Sequence, residues 1–277
     1  MKKPPLTPRI AAVYLLDEVL GEGRLMSELL ASGTLQALPP ADRARAQRLA
    51  GDTLRGLERA DRLLSRHLRK PPPLPVRNVL RTATVELALG GDAHGVVNEA
   101  VEMTGRHPRH NRLKALVNAV LRKMVDEAPR KWSDLRQPGL PGWLREPLVE
   151  AWGKAPVTAM ERAHFAGAPL DLTVKADPAA WAERLGGTVL PTGTVRLQEA
   201  TQISTLPGFE TGDWWVQDAA AALPVKVLAP EPDEQVLDLC AAPGGKTLQL
   251  AAMGAHVTAL DISERRMARV TENLART

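Results

Sequence analysis

The stretch VLDLCAAPGGKT at residues 236–247 decides how the C-terminal part of this chain folds. QVLDLC at 235–240 reads as a strand, AAPGG as a turn and KTLQLAAMG at 246–254 as a helix. HVTALDI at 256–262 then reads as a second strand and SERRMARVTENLA at 263–275 as a second helix. That order is the first βαβα of a doubly wound parallel sheet. A glycine turn that opens a helix leaves backbone N–H groups unhindered and lets a ligand approach the chain, and Gly244 and Gly245 supply it here. Asp261 closes the second strand, where an acidic side chain can accept from both hydroxyls of a ribose.

Spacing separates the ligands that use such a turn. PGGKT has the ending of a phosphate loop, but the first glycine of G-x-x-x-x-G-K-T falls at Cys240, so phosphate cradling fails. The dinucleotide fingerprint G-x-G-x-x-G is missing too, with Pro243-Gly244-Gly245 in its place. Adenosine without a pyrophosphate is favoured, against the alternative of a tight strand-to-helix turn that binds nothing.

Outward from this motif, 277 residues favour more than one folding unit. With 25% charged residues and no uncharged apolar run near the roughly 18 residues of a membrane helix, the expectation is a cytoplasmic protein without a membrane partner. The basic start MKKPPLTPRI lacks the apolar segment of a signal peptide. A single cysteine, Cys240, excludes an internal disulfide and a cysteine metal cluster. His107 and His110 are three apart without an acidic or thiol partner, so no metal is expected. Charge is uneven: residues 1–128 hold 21 Lys+Arg against 14 Asp+Glu, and the remainder 15 against 18. A basic front half suits a polyanion, although a solvated helical surface explains the charge equally well.

Residues 1–128 read as helices. Thr7-Pro8 is a cap signal ahead of Ile10, Val13, Leu16 and Leu20. Leu49, Thr53, Leu57, Ala60, Leu64 and Leu68 form one stripe over 42–69, with Arg43, Arg48, Arg55, Arg59, Arg62 and Arg66 mostly off it. This predicts one long helix broken near Gly51 or Gly56. PPPLP at 71–75 ends it, and another helix runs from Val76 to Leu87. Leu113, Leu116, Val117, Val120, Leu121 and Met124 give the cleanest stripe, with Asn111 as its expected cap. Residues 129–216 read as a connector: a helix near Leu144–Trp152, then short strands around Leu172–Val174 and Val195–Leu197. Ala219–Leu228 is again helical, and 217–277 form the third region.

At this point the motifs become specific. DLCAAPGGKT at 238–247 resembles the S-adenosylmethionine motif of the RNA cytosine-C5 methyltransferases of the RsmB/NOP family. LPGFETGDWWVQDAAA at 206–221 is similar to the segment that leads into it, and VNEAVEMTGRHPRHNRLKALVNAVLRKM at 97–124 resembles a NusB-like RNA-binding domain. The resemblance covers essentially the whole chain in order. It implies a multidomain protein: an all-α NusB-like helical domain, a small mixed connector, and the start of an α/β Rossmann-like S-adenosylmethionine-dependent methyltransferase domain. It implies ribosomal RNA of the small subunit as substrate and a monomer.

Carried onto this sequence, the resemblance places Cys240, Ala241, Ala242, Pro243, Gly244, Gly245 and Lys246 around the methionine and ribose side of S-adenosylmethionine, with Asp261 on the ribose hydroxyls. Lys246 either faces the cofactor carboxylate or is a solvated lysine; Asp238 either orders the turn or is structural. Cytosine C5 needs a cysteine added at C6 before it can attack a sulfonium, and a second cysteine for release. The family's PCS and TCS motifs for these are not in the chain. The resemblance therefore implies that the nucleophile belongs beyond Thr277, and no catalytic residue is expected within residues 1–277. Cys240 matches the cysteine of the cofactor motif, at the end of a strand expected to be buried, and is read as a packing residue. The open sheet reads as unfinished, and the 277-residue chain is expected to be inactive and to hold cofactor weakly. Tyr14 is the only aromatic residue of the helical half, which favours phosphate contacts over base stacking; Trp214 and Trp215 are read as packing. The rival reading is a non-catalytic NusB-like RNA-binding protein with a vestigial cofactor turn.

Overall fold

The structure, a computed structural model, describes residues 6–198 and 203–277 and divides into two compact units at Gly167–Ala168. Of the region read as connector, residues 129–167 belong to the first unit and 168–216 to the second.

The first unit is helical: α1 (Pro8–Gly21), α2 (Met26–Ala31), α3 (Pro40–Arg55), α4 (Leu57–Ser65), α5 (Leu74–Ala88), α6 (Ala93–Arg106), α7 (Lys114–Lys131), α8 (Gly142–Trp152) and α9 (Lys154–Ala166). Thr7 caps α1 by accepting from the Ile10 N–H, with proline at the first helical position, as the sequence signals. Two apolar clusters organise it. Ala11, Leu15, Leu29, Leu35, Ala46 and Leu49 join α1, α2 and α3; Leu63, Val79, Leu80, Val117, Leu121 and Met124 join α4, α5 and α7.

Helix α5 is buried almost all round, polar residues included, and its buried ionic residues Arg81 and Glu86 both have partners. Arg81 meets Asp61, Asn78 donates to Asp17 at 2.7 Å, and Glu86 accepts from Arg9 and Arg45. Arg9 also reaches Glu99 at 2.7 Å, and Glu86 and Glu99 together hold its guanidinium above its ordinary pKa.

One sequence expectation is met and two change. The long helix of 42–69 breaks at Gly56, the second of its two candidate glycines, where a Cβ would stand 2.8 Å from the Trp132 ring. Arg59, read as lying off the apolar stripe, turns inward; it is 5% exposed and donates to the carbonyl oxygen of Trp132 at 2.8 Å. Asn111 does not cap α7: residues Asn111–Leu113 form a 3-10 turn that feeds α7 without a side-chain cap.

The second unit begins with β1 (Leu170–Val174), α10 (Pro178–Leu185), β2 (Gly187–Val189), β3 (Val195–Leu197) and β4 (Trp214–Val216). These strands make an antiparallel sheet in the order β2-β3-β1-β4, with Leu172 opposite Val195 on one side and Val216 on the other. Its core is Leu172, Ala182, Val195, Leu197 and Trp214, so Trp214 packs as expected. Helix α11 (Ala219–Leu228) leads to β5 (Gln235–Asp238), α12 (Gly245–Ala252), β6 (His256–Ala259) and α13 (Glu264–Arg276). Strands β5 and β6 are parallel, Val236 beside Val257, and pack on Val225, Leu250 and Ala255. Among the described residues no helix is long and apolar enough to cross a membrane, and no group of His, Cys, Asp and Glu could hold a metal.

Candidate functional site

The turn between β5 and α12 is built from the strand end outward. Asp238, buried at the last position of β5, accepts from the Thr247 hydroxyl at 2.9 Å and the Cys240 N–H at 3.4 Å. One carboxylate thus ties the strand, the turn and the first turn of α12 together, which gives Asp238 an ordering role. Ala241 N–H donates to the Leu260 carbonyl and Leu260 N–H to that of Asp238, continuing the β5–β6 ladder into the turn. The Ala242–Pro243 peptide is cis, and Gly244 then takes φ +109°, a conformation that favours glycine.

Asp261 stands behind the turn. Its carboxylate accepts from the N–H groups of Ala242 at 3.2 Å and Ser263 at 3.0 Å, with the Arg266 guanidinium 3.7 Å away. The Ser263 bond foremost, with that from Ala242 and the charge of Arg266, holds its pKa below the usual carboxylate value. Its side chain is 3% exposed.

Helix α13 supplies two residues that sequence reading did not single out. Arg266 donates to the Ala242 carbonyl at 2.8 Å and Asn273 to the Pro243 carbonyl at 2.9 Å. Between them Val270 is the one buried residue of the helix. Residues 266, 270 and 273 share one helical face, which the spacing of Arg266 and Asn273 around Val270 could have signalled.

Thr277, the residue beyond which the nucleophile is expected, closes α13 and takes no part in the turn. Its N–H and its hydroxyl both donate to the Asn273 carbonyl, at 2.9 and 2.8 Å, and its own carbonyl oxygen receives the Lys175 ammonium.

The other side of the turn leans on a buried amide network. Gln217 accepts from Thr173 and Trp215 at 2.8 and 3.0 Å and donates to Gln249 at 3.0 Å. A Cβ on Gly245 would meet the Gln217 side chain at 3.4 Å, so glycine there sets the approach of α12 to this network.

Two expectations need correction. Cys240 is exposed, and Leu237 and Leu239 beside it are 55% and 65% exposed, so β5 does not end in a buried strand. Within β5, Val236 faces the core with α11 and α12 and Leu237 the opposite side; Cys240 lies past the end of the strand, where the turn carries its side chain to the surface. Cys240 is therefore not a packing residue here.

The donor set fits an adenosyl amino acid at one end. Gly245, Lys246 and Thr247 begin α12, and their N–H groups have no acceptor among the described residues; the Lys246 ammonium has no carboxylate partner there either. These groups suit a carboxylate. Asp261 fits less simply, since its two oxygens already hold the turn and have little exposure.

Comparison with known proteins bears on both units. Residues 6–126 match the NusB family and residues 225–277 the 16S rRNA methyltransferase RsmB/F family. The chain is 33% identical over 97% of its length to ribosomal RNA small subunit methyltransferase B of Xanthomonas campestris, covering 64% of that protein. It is likewise 33% identical to the Vibrio vulnificus protein of that name, covering 67% of it. The chain thus spans about two thirds of the length of these curated relatives. The crystal structure of PH0851 superposes on 99% of the chain with a TM-score of 0.64 at 20% identity, a likeness of fold.

Proposed function

The chain belongs to the RsmB/F family of 16S rRNA methyltransferases, and from that premise we propose that it serves S-adenosylmethionine-dependent methylation of cytosine C5 in small-subunit ribosomal RNA. The observation that carries this reading is the glycine turn from β5 into α12, with free N–H groups on one side and Asp261 behind it. S-adenosylmethionine, when bound, supplies an electrophilic methyl group on sulfur. Gly245, Lys246 and Thr247 would meet its carboxylate with backbone N–H groups, and the Lys246 ammonium would neutralise it. Asp261 would take the ribose hydroxyls with the lone pairs that Ala242 and Ser263 leave unused. Cys240, Ala241, Ala242, Pro243 and Gly244 would line the path between the two ends. The helical unit would hold the RNA through its basic residues.

Cytosine C5 becomes nucleophilic only after a thiolate adds at C6. Cys240 is the chain's one cysteine and lies inside the cofactor turn, so it would sit beside the donor and not beneath the base. Residues 1–277 hold no second cysteine, so they are expected to bind the cofactor without transferring methyl. Incubation with labelled cofactor and small-subunit ribosomal RNA checks this: incorporation at enzymatic rates would overturn it. Binding is read separately, by alkylation of the exposed Cys240 thiol. S-adenosylmethionine should slow the modification, and Asp261→Ala should abolish the protection; unchanged alkylation rates would remove the cofactor from the proposal.

The burial of Asp261 favours a second reading, an RNA-binding protein whose cofactor turn is vestigial. RNA binding together with no cofactor protection of Cys240 would select it.

A further inference from the structure

The helical unit has an open cavity of about 180 Å³ between α1, α5, α6 and the loop that follows α6. Its walls are apolar, with Val13, Val79 and Met103 among them, yet it holds one carboxylate, Asp17. Asp17 Oδ1 accepts from Asn78 at 2.7 Å; Oδ2 has no hydrogen-bond partner among the described residues. Oδ2 is reachable by solvent, so an incoming ligand can supply its donor in place of water.

The rest of the cavity suits a flat ring. Tyr14, 43% exposed, lines it, and the rings of His107 and His110 stack there with centroids 4.2 Å apart and planes 22° off parallel. Burial, then the charge of His107, holds His110 below the ordinary histidine pKa, so its ring is neutral near pH 7 and free to stack. The volume equals about six liquid waters, enough for one heterocycle and not for two. Arg109 and Arg112 belong to the same loop and have no carboxylate partner among the described residues, leaving them free for the phosphates on either side of an inserted base.

We infer that this cavity is a single-base subsite for guanine in single-stranded RNA, with Asp17 accepting from the base and Tyr14, His107 and His110 packing on its faces. Guanine is the base whose Watson–Crick edge sets two donors, N1–H and N2–H₂, side by side, matching a carboxylate; adenine offers one donor next to an acceptor. The subsite deepens the reading of the helical unit as the RNA-holding part and rests on it. It also explains why the unit's sole tyrosine lies at a cavity and not in the core.

The test uses the full 277-residue chain. Its fluorescence-detected binding to a short oligoadenylate is compared with that to the same oligomer carrying one central guanosine, and with guanosine replaced by inosine. Guanosine should bind on the order of tenfold tighter than adenosine, with inosine between them, as one lost bidentate contact implies. Asp17→Asn should bring guanosine and adenosine to within about twofold, because an amide offers adenine the donor and acceptor that a carboxylate lacks. Tyr14→Ala, at an exposed position that folding tolerates, should weaken the guanosine oligomer severalfold. Equal affinities in the unaltered chain, or a guanine preference that survives Asp17→Asn, would overturn the inference.

A second measurement follows the imidazole proton resonances of His107 and His110, assigned from glutamine variants, as guanosine 5′-monophosphate is added. If they shift while no oligomer binds, the subsite stands and the RNA-holding role falls; if neither occurs, both fall. Should a leucyl-arginine amide shift them and the nucleotide not, the cavity is a protein-docking site and the inference is wrong.

Discussion

At the scale of single residues, two carboxylates carry the strongest consequences. Asp171 is 2% exposed on β1, receives the Arg196 guanidinium through two bonds of 2.7 and 2.8 Å, and accepts from the Ala219 N–H at 3.0 Å. Replacing it with alanine leaves Arg196 and the first amide of α11 without their acceptor; with Arg196 partly solvated, the cost should be about 3 kcal/mol in urea unfolding of the second unit. Those bonds, Arg196's foremost, hold Asp171 below the usual carboxylate value. A carboxylate depressed by folding contributes stability that is full above its unfolded value and disappears as pH falls through the lower folded one. Stability of the second unit should therefore drop below about pH 4, and an Asp171→Asn variant should lose that part of the slope. The other carboxylate, Asp261, is braced with the turn by α13, and there Asn273 acts at one remove. Asn273→Ala removes the bond to the Pro243 carbonyl, and cofactor protection of Cys240 should weaken while the helical unit melts unchanged. The turn itself was legible because glycine and proline write their constraints locally. The residues that brace it were not, since Arg266 and Asn273 become neighbours of Ala242 and Pro243 only after two strands and a helix have assembled.

At the scale of elements, the break at Gly56 separates what periodicity reveals from what packing decides. The apolar stripe over 42–69 was visible, and the glycine marked where it could fail. That it does fail there, and that Arg59 then points inward under Trp132 and over the Phe165 ring at 4.3 Å, depends on residues of distant helices. Burial holds Arg59 below its ordinary pKa, and carbonyl oxygens rather than carboxylates receive it. Gly56→Ala adds a methyl 2.8 Å from Trp132 and 3.1 Å from the Asp52 carbonyl. Despite alanine's better helix propensity, it should destabilise the first unit by about 1–3 kcal/mol, with Trp132→Leu recovering part of that loss in a double-mutant cycle. Caps divide: Thr7 caps α1 as its sequence signals, whereas Asn111 does not cap α7. Asp92 accepts from the Gly95 N–H at 2.6 Å at the start of α6, and Asp92→Ala should cost about 1 kcal/mol in the same measurement. Helices α9 and α10 were missed because α9 buries only Val157 and Glu161, and α10 only Ala182, too few positions to write a stripe.

At the scale of the whole molecule, the basic excess of residues 1–128 makes affinity for RNA a matter of phosphate contacts, so binding of the 277-residue chain should fall steeply and linearly in a log–log plot against salt. A flat salt response would mean the charge is only a solvated surface. Fold class and the order of regions were legible because helical and strand periods differ; the joint at Gly167 was not, because α8 and α9 look like linker in composition yet belong to the first unit. The hold of α13 on the turn also sets a sequence of events in time. Asn273 lies 30 residues after Pro243, so in a chain emerging N-terminus first the motif at 239–245 is synthesised well before the helix that fixes its carbonyls. Until that helix docks, the turn is a segment with the right composition and the wrong entropy. Assembly of the site is therefore a late step, and a substitution on α13 would delay it without touching a ligand.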